Sequence, residues 1–153
     1  MEEVPERLTS KPSWLITQLA VHARRLVFDG FAEVGARGYH YRVLAALQEF
    51  GAMSQAELGR RCGMDRSDVV AAVNELVEHG FVERASDPGD RRRNTVTLTD
   101  AGKRQLRRMD RTLAAVQEEL LEPLSDRDRK TLTRLLTVLL AHHHRHGSGH
   151  GSG

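Results

Sequence analysis

The sequence predicts a mainly α-helical chain with one small β-hairpin, and three observations carry that reading. Apolar residues recur at three- and four-residue spacing through most of the chain. Residues 53–79, MSQAELGRRCGMDRSDVVAAVNELVEH, read as two short capped helices joined at Gly63-Met64, the layout of a helix–turn–helix. Directly after them, Asp87-Pro88-Gly89-Asp90 separates two strand-like segments, and three consecutive arginines, Arg91, Arg92 and Arg93, lie on the arm or tip of that hairpin.

Taken in order, Ser10-Lys11-Pro12 opens the first helix, because proline fits a first turn whose N–H has no partner in any case. Trp14, Leu15, Gln18, Leu19, His22 and Leu26 follow at helical spacing, and the helix is predicted to end near Phe28, before the glycine-dotted stretch 30–38. A second helix, about His40 to Phe50, carries Val43, Leu44 and Leu47 on one face and stops at Gly51. Ser54-Gln55-Ala56-Glu57 matches a capping box, and the helix it opens ends at Gly63, which can take the left-handed conformation of a sharp stop. Asp65 caps the next helix, whose apolar positions are Val69, Val70, Val73, Leu76 and Val77, and His79-Gly80 stops it.

Phe81 to Arg84 reads as one strand, and Thr95 to Thr99 alternates threonine with Val96 and Leu98 as a half-buried strand does. Thr99-Asp100 caps a long helix with Leu106, Met109, Leu113, Val116 and Leu120 close to a coiled-coil seam, ended by Pro123. Ser125-Asp126-Arg127-Asp128 caps a last helix bearing Leu132, Leu135, Leu136, Leu139 and Leu140. The leucine-rich faces of the first, long and last helices exceed what one small core can hide, so a partner chain is expected to cover them.

Composition narrows the function classes. At 153 residues, 39% hydrophobic and 29% charged, the chain fits one compact subunit with extra helices. Formal net charge is only +2, so positive potential is local: the arginine triplet, then Lys103, Arg104, Arg107, Arg108 and Arg111. Local fields on a near-neutral body suit a reader of specific DNA better than a bulk condenser. The single cysteine, Cys62, rules out an intramolecular disulfide framework and fits a reducing compartment. The acidic, polar start MEEVPERLTSKPSW has no signal-like run, and no apolar segment approaches the ~20 residues of a membrane span, so a cytoplasmic protein is expected. No Gly-x-x-x-x-Gly-Lys, no Gly-x-Ser-x-Gly and no acid pair at metal-ligand spacing occurs, which argues against an enzyme.

Three adjacent cations repel one another and gain nothing from a core, whereas double-helical DNA makes such a cluster useful. Hairpin and helix pair together therefore read as a DNA-binding winged helix-turn-helix. On the second helix, Arg66, Ser67, Asp68, Ala71 and Asn74 lie near the N-terminal half or on the polar face, where they can enter a major groove. Arginine pairs bidentately with guanine, asparagine with adenine, and serine suits phosphate or a base edge. Asp90, two residues before Arg92, can brace one guanidinium as it enters a narrow minor groove.

Residues 54–102 resemble the MarR family of winged-helix transcriptional regulators. The matching pieces are SQAELGRRCGMDRSDVV, NELVEHGFVER and the wing DRRRNTVTLTDAG, in which Asp90, Arg92, Leu98 and Thr99 occupy the family's Asp-x-Arg…Leu-Thr frame without insertion. With the flanking helices the resemblance covers 11–143: the winged helix at 40–102 and dimerisation helices at 11–28 and 103–143. Residues 144–153 are a histidine- and glycine-rich tail expected to be disordered. The resemblance implies a homodimeric repressor of a pseudo-palindromic operator, responsive to a small aromatic or phenolic effector, with no obligatory cofactor. It places Arg92 in the minor groove, Arg91 and Arg93 on phosphates, and Ser54 among the DNA contacts. Members often carry serine-threonine where this chain has Ser67-Asp68, so Asp68 either caps its helix or accepts from a cytosine amino group.

Plainer readings stand beside several of these. The polar face of the second helix and the stripe Arg104, Arg107, Arg108 and Arg111 also fit solvated surfaces, and for the stripe that is the better reading. Trp14, His22, Tyr39 and Tyr41 form either an effector pocket between dimer helices and winged helix or ordinary packing of amphipathic side chains. Cys62 reads as a small buried residue rather than a peroxide sensor, since the family's sensing cysteines sit in a first helix that here has none. His142, His143, His144 and His146 point in divergent directions, so no metal site is assigned to them. A winged-helix protein–protein module is the alternative function, and the arginine-rich wing argues against it.

Overall fold

The computed structural model describes residues 3–87 and 89–147, with the side chains of residues 87 and 90–93 outside the described set. In chain order the elements are α1 (Glu6–Thr9), α2 (Pro12–Glu33), α3 (Gly38–Phe50), β1 (Met53–Ser54), α4 (Gln55–Cys62), α5 (Arg66–Glu78), β2 (Val82–Asp87), β3 (Asp90–Leu98), α6 (Asp100–Leu120) and α7 (Asp126–Gly147). They divide into two compact units, Met1–Val116 and Gln117–Gly153.

In the first unit, Val43, Leu44, Leu47, Leu58, Val69, Val73, Leu76, Val82, Val96 and Met109 form one buried cluster, roofed by Phe31. The predicted caps shape its elements. Ser54 Oγ accepts from the Glu57 amide at 3.2 Å and starts α4. Gly63, at φ 62° and ψ 44°, ends α4 in the left-handed region, and the chain turns directly into α5. Asp65 occupies the N-cap of α5 with extended backbone, yet its carboxylate makes no cap hydrogen bond. It lines an open groove with Arg66 and Ser67 instead.

The sheet has three strands, in the order β1-β3-β2, all antiparallel, where a hairpin alone was expected. Met53 pairs with Val96 and Ser54 with Thr95. A two-residue strand has no alternation to read, so only the paired partner reveals it. On the other side Val82 lies opposite Leu98 and Arg84 opposite Val96, with an irregularity at Ser86/Asp87. Both hairpin strands are longer than predicted, because cross-strand pairing carries them past the alternating apolar residues toward the turn.

The first helix runs past its predicted end near Phe28, through Gly30, to Glu33. Gly30 is a crossing point rather than a stop: a Cβ there would lie 3.0 Å from Thr112 and 3.1 Å from Val116, both on α6. Much of the apolar seam of α6 is likewise taken up within the chain: Leu106, Met109 and Val116 are buried, and Leu113 and Leu120 half-buried. A helix crossing the core buries its stripe locally, and spacing alone does not distinguish that from a coiled-coil seam.

Start of α6 and end of α5 are locked together. Thr99 Oγ1 accepts from the Gly102 amide at 3.0 Å and donates to the Gly80 carbonyl at 2.7 Å. A Cβ on Gly102 would stand 2.0 Å from the Phe81 carbonyl oxygen, so only glycine fits.

In the second unit, Ser125 Oγ accepts from the Asp128 amide at 3.2 Å and opens α7 as predicted. Arg129 Nε donates to the Leu121 and Leu124 carbonyls at 3.2 and 3.1 Å, and Nη1 pairs with Glu118 at 2.8 Å. One guanidinium thus satisfies carbonyls released where α6 ends. Helix α7 continues through His144 to Gly147, beyond the predicted start of the tail, with His146 Nδ1 on the His142 carbonyl at 2.8 Å. Residues 148–153 of that tail lie outside the described residues. No described helix is long and apolar enough to cross a membrane.

Candidate nucleic-acid interface

Helix α5 follows α4 after a glycine turn, and its core-facing residues, Val69, Ala72, Val73 and Leu76, are buried. That fixes the rotation of the helix. Arg66, Ser67, Ala71 and Asn74 are consequently exposed, Asp68 and Val70 half-buried. Asp65, Arg66, Ser67, Val70, Ala71 and Asn74 line a shallow open groove along the helix. On the opposite flank Arg66 also joins Gln55, Ala56, Gly59 and Arg60 of α4. The structure therefore brings Arg66, Ser67, Ala71 and Asn74 onto one exposed face that begins at a helix N-terminus, where the dipole favours an anion.

Ser54 stands apart from that face, half-buried, with its hydroxyl oxygen engaged by the Glu57 amide. The predicted wing residues Asp90, Arg91, Arg92 and Arg93 lie on β3 by backbone, and their side chains fall outside the described residues.

Arg84 was missed in the sequence. It stands on β2 opposite Val96 and in register with Val82, on the face of the sheet turned to the helices. From there Nη2 donates to Asn74 Oδ1 and Nε donates to Gln55 Oε1 at 3.1 Å. A cation at an inward register position in Phe81-Val82-Glu83-Arg84 was the available signal.

A second missed network holds α5 against α3. His40 is buried, its Nδ1 accepts from the Arg37 amide at 3.3 Å, and its Nε2 meets Glu75 Oε2 at 2.6 Å. Because Nδ1 accepts, Nε2 carries the proton and donates to Glu75. Arg37 Nη1 lies 3.8 Å from the other oxygen of the same carboxylate.

The four residues read as an effector site do not form one wall. Tyr41 stacks on Phe31 with centroids 5.8 Å apart and donates to Asp110 Oδ1 at 2.7 Å. That hydrogen bond, then burial and the Asp110 charge, push its pKa up to about 12. Tyr39, two positions earlier, is exposed, with the Arg42 guanidinium 5.6 Å from its ring centroid. Two positions on a helix turn the side chain by roughly 200°. Trp14 is half-buried on α2, and the exposed His22 has its Nδ1 3.4 Å from Arg25 Nη2.

Cys62 is half-buried with Sγ donating to the Arg42 carbonyl at 3.4 Å, and burial raises its pKa against a lowering by Arg42. Such a thiol is a poor nucleophile, as its reading as a packing residue requires. Arg104, Arg107 and Arg111 are exposed on α6, while Arg108 Nη1 donates to the buried Gln105 at 3.0 Å. Among the described residues no group of three or more His, Cys, Asp or Glu is placed to hold a metal ion.

A family model described as the MarR family matches residues 35–93. The chain is 33% identical over 130 residues to a candidate transcriptional regulatory protein for the hcr operon of Thauera aromatica, covering 80% of this chain and 78% of that protein. In structure it resembles the PcaV transcriptional regulator of Streptomyces coelicolor, solved in complex with its natural ligand: TM-score 0.74, 28% identity, 92% of this chain and 98% of that one. It also has the fold of a mutant MarR from E. coli complexed with operator DNA, with TM-score 0.72 and 24% identity over 82% of this chain and 91% of that one.

Proposed function

The chain belongs to the MarR family of transcriptional regulators, and we propose that it is a homodimeric, effector-responsive repressor that reads a pseudo-palindromic operator through α5 and the β2–β3 wing. One observation carries this: the exposed face of Arg66, Ser67, Ala71 and Asn74 starts at the N-terminus of a helix rigidly seated on the core. Such a face fits a major groove, with Asp68 beside it, and Ser54, at the start of α4, makes a separate contact. Asp90 braces Arg92 in the adjacent minor groove, with Arg91 and Arg93 on phosphates.

Dimerisation is supported by the apolar residues left exposed on α2 and α7, among them Leu15, Ile16, Leu19, Leu135, Leu136, Leu139 and Leu140. Residues 11–28 and 103–143 supply the dimer helices and 40–102 the DNA-binding part. In a dimer the two α5 helices would sit one helical turn of DNA apart, ~34–36 Å. That PcaV was solved with its natural ligand supports an effector; an aromatic or phenolic compound is the class to try first, with Trp14, His22, Tyr39 and Tyr41 as the residues to test. An effector acts by favouring a dimer whose helices are wrongly spaced for DNA. The site of action is the cytoplasm.

The test is binding of the purified protein to the DNA upstream of its own gene, beside Arg92→Ala and across a salt series. Selective binding that collapses in Arg92→Ala is expected, with log affinity falling against log salt by about 0.9 for each phosphate neutralised. Equal affinity for upstream and unrelated DNA would overturn the reading.

A further inference from the structure

His142, His143, His144 and His146 lie near the end of α7, and adjacent members diverge by about 100° round the helix. His142 and His146 are the exception. Four residues apart, they share one face, with ring centroids 4.4 Å apart and ring planes inclined by 33°. Both are exposed. His146 Nδ1 donates to the His142 carbonyl at 2.8 Å, since a carbonyl can only accept. In the neutral ring that proton fixes the tautomer and leaves the lone pair on Nε2.

This is how a ligating histidine is held: one ring N–H sits on a carbonyl, which orients the imidazole and leaves the other nitrogen basic. Imidazole suits Cu2+, Ni2+ and Zn2+. With a metal–nitrogen bond of ~2.0–2.1 Å, an ion shared by both rings lies about 3 Å from each ring centre. Centroids 4.4 Å apart then subtend roughly a right angle at the ion. That is the cis angle of a tetragonal or octahedral centre, whereas a tetrahedral zinc spreads its ligands farther. A dication there also meets the negative end of the α7 dipole, against the opposing charge of Arg145 in the same turn.

We infer that His142 and His146 form a two-point chelate for a divalent transition-metal ion, Cu2+ before Ni2+ or Zn2+, on the last turns of α7. Two protein nitrogens leave the remaining positions to water, so the ion exchanges with solvent rather than serving as a structural centre. By joining side chains on successive turns it stabilises the end of the helix. The inference is independent of the DNA-binding reading.

The experiment titrates Cu2+ into the full chain in a non-coordinating buffer at about pH 7.5, above the usual imidazole range. Calorimetry gives the affinity, and electron paramagnetic resonance reads the nitrogens on the copper. The proteins are the unmodified chain, His142→Ala, His146→Ala, those two combined, and the double variant His143→Ala/His144→Ala. Alanine is the best helix former, so the variants keep α7. Each single loss in the pair is expected to weaken binding by about 10-fold or more. The second loss should add less than the first, because the chelate is already broken. His143→Ala/His144→Ala should bind as the unmodified chain does. Hydrogen exchange, followed by mass spectrometry, should slow over the end of α7 when Cu2+ is added to the unmodified chain and stay unchanged in the combined pair variant.

An equal fall in His143→Ala/His144→Ala would mean a diffuse histidine cluster and overturns the inference. Binding as tight in His142→Ala/His146→Ala as in the unmodified chain is an adventitious ion only, and overturns it too. Weakening in just one of the two single variants has the same consequence, since a chelate needs both rings.

Discussion

The phenol of Tyr41 donates to Asp110 Oδ1 at 2.7 Å, joining α3 to α6 across 69 positions of sequence. The bond ties the helix that backs α5 to the long helix that leaves the wing. It also makes this tyrosine distinct, because its pKa is pushed up from 10.0 to about 12, chiefly by the bond itself.

A pH dependence follows from that shift. The folded state holds the phenolic proton more tightly than the unfolded chain, so this stabilisation is complete below about pH 10 and is lost as pH rises toward about 12. Urea melts at increasing alkaline pH are expected to show falling stability over that window. Tyr41→Phe should lower stability by ~1 kcal/mol at neutral pH, the size of one net hydrogen bond, and flatten the alkaline decline. An unchanged pH profile in Tyr41→Phe would contradict the assignment.

Gly102 tests a close approach. Helix propensity alone makes Gly→Ala favourable by roughly 1 kcal/mol. Against that, the new Cβ would stand 2.0 Å from the Phe81 carbonyl oxygen and 2.7 Å from Leu98 Cδ1, which forces α6 away from the sheet. Overpacking against backbone costs about 1–3 kcal/mol or more, so Gly102→Ala is expected to destabilise on balance. Gly38→Ala is the control: nothing lies within 4 Å of its Cβ position, and a gain of a few tenths to about 1 kcal/mol is expected. Denaturant midpoints of the two variants should therefore move in opposite directions.

Glu75 is the partner of a buried ring. Its removal in Glu75→Ala leaves His40 Nε2 without its acceptor, at a cost of about 1–3 kcal/mol. Glu75→Gln keeps an acceptor oxygen and should recover much of that loss. Equal destabilisation by both substitutions would show that charge, not the hydrogen bond, carries the contact.

Helix α7 tests the dimer. Leu136 and Leu139 are exposed by 44% and 48% within the chain. Charges placed there, in the double variant Leu136→Glu/Leu139→Glu, should leave helical content intact and abolish association. Sedimentation velocity is expected to give twice the 17.2 kDa chain mass for the unmodified protein and the single-chain mass for the variant. A variant that still sediments as a dimer would move the interface elsewhere.

Local chemistry made most elements legible in one dimension. Ser54, Gly63, Gly80, Thr99 and Ser125 act on backbone groups a few residues away, so their roles as caps and stops can be read without the fold. Periodicity likewise exposed the core face of α5, and with it the rotation that turns Arg66, Ser67, Ala71 and Asn74 outward. Interactions between distant residues carry no such signature. Gly30 looked like a helix end and is a helix crossing, because Thr112 and Val116 lie far along the chain. The α6 seam read as one interface stripe, and three of its five apolar residues, Leu106, Met109 and Val116, are buried within the chain. Asn74 is the sharpest case: its residue type and its place on the helix face were readable, but the hydrogen bond that Arg84 gives its amide oxygen comes from a strand ten residues away. Residue type sets what a side chain can offer, and the neighbours that folding brings to it set what it has left to give.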